Sequence, residues 1–309
     1  MLYDEDSLYK DESVENGPEL AKGLNSSAFQ YNCSRCGSTF YSFAKQNIDN
    51  CIICCENGIV EDSYTNFKNS YLVPFNKLTK DFIRMYKRKV FWNPLVPIQF
   101  KKKKVMWLVK DVYLPCFLSN VNQKGELYFL GGERGKNSYN VMETKRYTVF
   151  ETIHFDYCDV LLNINSKIDD KIFQTICNYD FSHLEKIDFS GKSQSFYLVD
   201  NMSVATVSEK AREKISKQTM AVARQNIPHP LKKLKTDKTT ITFADTKELF
   251  VPVYLLNVKY KNKIYQFIMN GQNGKFYFDI PMGIVETVLF AIFSFSIIFL
   301  LSFLIAYFL

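Results

Sequence analysis

The residues from Thr287 to Leu309 contain no charged side chain and no proline. Over these 23 positions Leu, Ile, Phe, Val and Ala are broken only by Ser, Thr and Tyr. As a helix rising about 1.5 Å per residue the run is roughly 35 Å long, enough for a hydrocarbon layer of ~30 Å. A segment apolar on every face has no polar side to offer water, which argues against an ordinary core helix. The expectation is a single C-terminal transmembrane helix, with 283–309 as the anchor and 287–309 in contact with the membrane. The rest of the chain is then a domain held at a bilayer.

The other end suggests which side that domain occupies. Met1 to Gly23 is polar and acidic and has no apolar core of a signal peptide. Residues 1–28 read as a flexible acidic arm. Lys259, Lys261, Lys263 and Lys275 precede the span, and the far side of the membrane is expected to receive almost no protein. The positive-inside rule therefore places the protein in the cell membrane as a single-pass chain, with its N-terminal domain in the cytosol.

Eight cysteines without an export signal do not suggest a disulfide framework. Four have a better use. Cys33-Ser34-Arg35-Cys36 and Cys51-Ile52-Ile53-Cys54 are two Cys-x2-Cys knuckles with fourteen residues between them. A two-residue gap lets both sulfurs of a knuckle reach one ion, and four soft ligands suit tetrahedral zinc. Gly37 fits the tight turn that aims backbone N–H groups at sulfur. Tyr31, Phe40, Tyr41 and Phe43 supply a small apolar surface. A zinc ribbon is expected over 29–60, with one structural Zn2+ on Cys33, Cys36, Cys51 and Cys54. Cys55 is a bystander or an alternative to Cys54, and Cys54 is preferred. Cys116, Cys158 and Cys177 read as small core side chains. A site closed by four thiolates keeps no open position for catalysis.

Residues 61–282 should form a mixed α+β domain. Glu61 to Ser70 reads as a polar linker. A helix is expected over Lys77 to Phe91, with Phe82, Ile83, Tyr86 and Val90 on one face and Pro94 and Pro97 beyond its end. Ile168 to Cys177 and Ser203 to Gln225 also carry helical spacing; the latter shows a stripe of Val204, Val207, Ala211 and Ile215. Strands are expected around Thr148 to Tyr157 and Val160 to Asn163. An internal echo at an offset of 137 aligns Pro115-Val121 with Pro252-Val258, and Lys124-Tyr128 with Lys261-Tyr265. Each copy reads as strand, tight turn, strand, with proline at the strand start. The fold class is thus α+β: a small N-terminal ribbon, a mixed domain with a pseudo-repeated β core, and one membrane helix.

Chemistry is sparse. His154, His183 and His229 are scattered, and no catalytic constellation emerges. Met269 to Lys275 is glycine-rich but lacks Walker spacing, so a hairpin turn is the better reading. Lys77 to Lys110 is basic and includes the run Lys101 to Lys104. Three readings remain open for it: a solvated face, a surface for anionic lipid, or a phosphate-binding patch for nucleic acid.

The ribbon is followed in order by Val73-Pro74-Phe75, Val112-Tyr113-Leu114-Pro115, Asn165-Ser166-Lys167-Ile168-Asp169-Asp170, Tyr179-Asp180-Phe181-Ser182, Val251 to Leu256 and Tyr265 to Lys275. In this the chain resembles bacterial membrane proteins with an N-terminal transcription factor IIB-type zinc ribbon. Such proteins are often mislabelled replication-restart helicases or phage replisome organisers. The likeness runs from about residue 30 to the anchor. It departs from the usual pattern at Asn273, where Thr is common, near Cys116, where an aromatic is common, and at Cys55, where Gly is common. The resemblance implies an envelope-associated protein with flotillin-like or phage-shock-type membrane proteins as partners. It implies no activity, and a helicase is excluded by the missing nucleotide loop. The functional expectation is a non-catalytic membrane-anchored adaptor, with a membrane-tethered nucleic-acid binder as the alternative.

Overall fold

The structure is a computed structural model that describes residues 28–64, 70–136, 138–139, 142–187, 194–199, 202–227 and 231–308. Apart from Ala28, the acidic arm lies outside the described residues, as do 65–69 of the expected linker and His229. In chain order the elements are β1 (Ala28–Cys33), β2 (Thr39–Ser42), β3 (Ile59–Tyr64), β4 (Tyr71–Leu72), α1 (Thr79–Val90), a 3-10 turn (Ile98–Lys101), α2 (Lys103–Met106), β5 (Lys110–Lys136), β6 (Met142–Asn163), α3 (Asp170–Ile176), β7 (Glu185–Lys186), β8 (Phe196–Val199), α4 (Val204–Asn226), β9 (Leu231–Asp237), β10 (Thr240–Tyr260), β11 (Lys263–Asn270), β12 (Phe276–Phe278) and α5 (Ile284–Phe308). The strands join one mixed sheet, whose main path runs β12-β11-β10-β5-β8-β2-β1-β3.

The centre of that sheet is a pair of related strands. β5 and β10 run antiparallel with Leu114 opposite Val251, Pro115 opposite Phe250 and Pro252 opposite Tyr113. Before its proline, each strand takes a short parallel neighbour: β8 beside Val112 and Tyr113, β4 beside Leu249 and Phe250. After its proline, each takes an antiparallel one: β6 from Cys116, β11 from Val253. Every one of these positions is related by the same offset of 137, so the echo in sequence is a repeat in space.

The prolines are not at strand starts, as the sequence suggested. They lie inside long strands, where the outer neighbour changes and the outer side has no ladder partner. Proline, which has no N–H to give a ladder, costs least there.

The first copy departs from the second at its turn. Lys261 and Asn262 close the β10–β11 hairpin, with Lys261 at φ 54°. The corresponding Lys124 and Gly125 do not turn; β5 runs through them because β6 and β9 continue to pair with it. Gly125, at φ 140°, instead lets the β9–β10 turn at Lys238 and Thr239 press against the strand, where a Cβ would collide with the Lys238 carbonyl.

Both neighbours of β5 bulge at the same level. Cys158 and Asp159 oppose Asn120 on one side, and Asp245 and Thr246 stand opposite Ser119 on the other. Asp159 and Asp245 adopt φ 55° and 52°. Asn120 Oδ1 accepts from the Asp159 N–H at 3.1 Å, and Ser119 Oγ donates to the Ala244 carbonyl at 3.0 Å. Such paired bulges bend a sheet. They explain why the two strands expected at 148–157 and 160–163 are one strand, and why Cys158 is exposed rather than a core side chain. Beyond the bend, α4 covers the blade with buried Val207, Ala211, Ile215, Ala223 and, just past its end, Ile227. Ser203 caps it, its Oγ accepting from the Thr206 N–H at 3.2 Å.

α1 buries Phe82, Tyr86 and Val90, as its periodicity predicts. Tyr86 donates to the Phe100 carbonyl at 2.8 Å, and Phe100 packs edge-on against Tyr260 and Tyr265. The expected linker is partly wrong: Glu61 to Tyr64 belong to β3 and pair with β1. Tertiary pairing overrides their polar composition there.

The glycine-rich turn joins β11 to β12, the hairpin reading. Its amides are already used. Asn270 Oδ1 accepts from the N–H groups of Gln272 and Asn273 at 2.8 and 3.0 Å. Its Nδ2 donates to the carbonyls of Ile176 and Asn178 at 2.7 and 3.2 Å. Asn270 is fully buried, and Gly271 is so close to Phe75 that a Cβ would lie 2.5 Å from the ring. The motif is a clasp between the sheet and the end of α3. Asn270→Ala leaves two turn amides and two carbonyls without this partner and should cost about 2–4 kcal/mol. Chemical denaturation of wild type and variant in the same detergent measures it.

Candidate metal centre

The two knuckles are built alike. In each, the first cysteine carbonyl accepts from the N–H of the residue after the second cysteine: Gly37 to Cys33 and Cys55 to Cys51, both at 2.9 Å. The first cysteine N–H then bonds one residue further on, Cys33 to the Ser38 carbonyl at 3.0 Å and Cys51 to the Glu56 carbonyl at 2.9 Å. This geometry requires a left-handed residue after each knuckle, and Gly37 and Cys55 take φ 68° and 62°. Cys55 therefore stands in a glycine position and bears the strain of a Cβ there.

The thiol atoms of Cys33, Cys36, Cys51 and Cys54 all lie within 4.8 Å of one another. The closest pairs cross between knuckles, Cys33 to Cys54 and Cys36 to Cys51, each 3.7 Å apart. That is too long for a disulfide bond of about 2.05 Å. It matches the edge of a tetrahedron with metal–sulfur bonds of about 2.3 Å, which is about 3.8 Å. The four cysteines predicted from spacing are thus brought together and can hold a metal ion. Cys55 is not among them; its Sγ donates to the Asn257 carbonyl at 3.3 Å.

The surroundings divide the thiols. Burial opposes a charged Cys36, but the Ser38 hydroxyl and backbone, with Cys33 and Cys54, outweigh it and lower its pKa to about 7. Ser38 Oγ lies 3.0 Å from that sulfur. Burial raises Cys51 and Cys54 above the ordinary thiol range. The Ile53 N–H donates to the Cys51 sulfur at 3.4 Å, in part offsetting that burial. A cation among the sulfurs favours the thiolate form of all four.

The cluster is part of the main core. Cys33, Cys51, Ile52, Ile53 and Cys54 share one buried cluster with Leu114, Val251, Val253 and Leu255 of the central strands. Asn257, on β10, donates both Nδ2 hydrogens to the second knuckle, to the Ile52 and Ile53 carbonyls at 2.9 and 3.0 Å. Lys259 pairs with Glu56. The first knuckle faces outward, with Ser34 and Arg35 exposed, and Lys167 reaches its Cys36 carbonyl at 3.0 Å. On the other side β8 bridges the module to β5. Tyr41, Tyr197 and Tyr113 stack across β2, β8 and β5 at centroid distances of 5.2 and 4.8 Å.

Sequence reading missed Asn257 and Ser38. The only sign of Asn257 was its place in the echo, aligned with Asn120: each is an asparagine in an otherwise apolar strand that bonds a neighbouring backbone. Elsewhere, His154 lies 3.2 Å from Asp156 on the surface and His183 stands near Asp180. Neither is near the cysteine cluster in hydrogen bonding.

α5 is long and apolar enough to cross a membrane, and none of its residues is buried. Its Ser294, Ser296 and Ser302 hydroxyls donate to carbonyls one turn earlier at 2.8–2.9 Å, so these three hydroxyls are satisfied within the helix. It begins at Ile284, with Glu286 in its first turn.

No family model matches the chain, and no solved structure matches it. It is similar to the uncharacterized protein YdjG of Bacillus subtilis (strain 168), with 20% identity over 210 residues. The match covers 66% of this chain and 61% of the relative, so it spans about three-fifths of that protein.

Cys33→Ser and Cys54→Ser should each lose bound metal, whereas Cys55→Gly should keep about one equivalent per chain. Elemental analysis of the reduced proteins measures this. Metal lost from Cys55→Gly and kept by Cys54→Ser would reverse the assignment.

Proposed function

We propose that the protein is a zinc-stabilised, non-catalytic adaptor, anchored in the membrane by α5 and holding its α+β domain at the cytosolic face. The observation that carries this reading is a fully uncovered apolar helix attached to a folded domain, α5 having no buried residue. Zinc is the ion best suited to four cysteine thiolates at tetrahedral spacing in a closed site. Such a site contributes folding energy and offers no place for substrate, which supports a structural rather than catalytic role.

The second knuckle is used against β10, so partner docking falls to the exposed first knuckle and to other surfaces of the domain. The resemblance to ribbon-bearing envelope proteins supports membrane proteins, flotillin-like or phage-shock-type, as those partners. Lys102 to Lys104 are exposed shortly after Leu95 and Ile98, which bond to the base of α5; that linkage to an apolar helix favours a membrane setting over a nucleic-acid one.

Deleting 287–309 should move the protein from the membrane pellet to the soluble fraction. Pelleting that resists alkaline carbonate after the deletion would contradict the anchor. Cross-linked recovery from membranes should yield membrane proteins; nucleic acid retained with a steep salt dependence would contradict the adaptor reading.

A further inference from the structure

The base of α5 is tied to a segment far away in sequence. The Gly283 N–H donates to the Leu95 carbonyl at 2.9 Å, and the Ile98 N–H to Glu286 Oε1 at 3.4 Å. A Cβ on Gly283 would lie 3.2 Å from Pro97. Residues 95–98, in the middle of the segment 91–108, are thereby fixed at the helix base. That segment is unusually apolar for a surface. Trp92 is 85% exposed, Trp107 80% and Ile98 68%, and Leu108 is also open. Met282 and Ile284, at the start of the helix, are exposed by 77% and 73%. Lys102, Lys103 and Lys104 are exposed within the same segment, as are Lys87 and Arg88 at the end of α1. A groove of about 290 Å³ opens beside Trp107, with Phe91 and Met106 in its lining and Lys87 and Lys103 at its sides.

We propose that residues 91–108 form a collar that inserts its two tryptophans into the anionic bilayer around the base of α5. Indole rings settle at the boundary between headgroups and hydrocarbon, and lysines nearby place their ammonium groups among lipid phosphates. Each such lysine strengthens attachment to an anionic leaflet about fivefold. A lipid surface is the one partner that the ties to Gly283 and Glu286 bring to this patch, because any helix crossing the membrane carries the collar to its surface. The inference rests on the anchoring reading of α5. It makes the collar a second contact, which would hold the domain at a fixed tilt rather than on a free tether.

The test uses a convenient fact: Trp92 and Trp107 are the chain's two tryptophans. The full chain is reconstituted in phosphatidylcholine–phosphatidylserine vesicles, and its fluorescence is compared in ordinary lipid and in lipid brominated on the upper acyl carbons. Short-wavelength emission that loses most of its intensity to brominated lipid, in wild type and in both Trp92→Ser and Trp107→Ser, is the expected result. Long-wavelength emission open to aqueous iodide, in protein that still floats with the vesicles after carbonate, would overturn the collar and leave the anchor standing. Short-wavelength emission insensitive to bromine would also overturn it, because another protein surface would then cover the patch. Protein that fails to float would remove the anchor and the collar together.

Discussion

Four sulfurs held 3.7 Å apart in pairs, against the middle of a sheet, are the constraint on which the N-terminal half depends. Thiolates so close repel one another unless a cation sits among them, and burial opposes ionisation of Cys51 and Cys54. A metal ion there would do more than close two knuckles. It would fix Ile52 and Ile53 where Asn257 reaches their carbonyls, and so would join the cysteine module to β10. The aromatic stack through Tyr197 makes the second join, to β5. Local thiolate chemistry is in this way coupled to the packing of the whole domain.

The repeat around Leu114 and Val251 explains how so large a sheet tolerates proline at its centre. Each strand changes outer neighbour at its proline, from a parallel strand to an antiparallel one. The same symmetry places Asn120 and Asn257 at equivalent positions, one steadying a bulge and the other gripping the knuckle. One strand design has been put to two uses.

Much of this was legible in sequence, and for identifiable reasons. The knuckles, α1, the stripe of α4 and the long apolar helix each follow from local spacing. The Asn270 turn was recognisable as a hairpin but not as a clasp, because its partners Ile176 and Asn178 are remote. Lys124 and Gly125 misled because a Lys-Gly pair makes a turn only if its neighbours stop pairing, and β6 and β9 do not. Cys158 misled because a bulge turns it outward. The tie between Leu95 and Gly283 joins segments nearly the length of the domain apart, and no periodicity announces it. Thus spacing reveals single elements, whereas the contacts that tie the apolar helix to the domain are long-range.

The join between metal and sheet is tested most directly by amide hydrogen exchange of the full chain before and after metal is stripped with a chelator. The account expects protection to fall in 28–64 and also in β10 around Leu255 to Val258 and in β8, because these strands share its core. Unchanged exchange in 28–64, or a loss that stops short of β10, would contradict it.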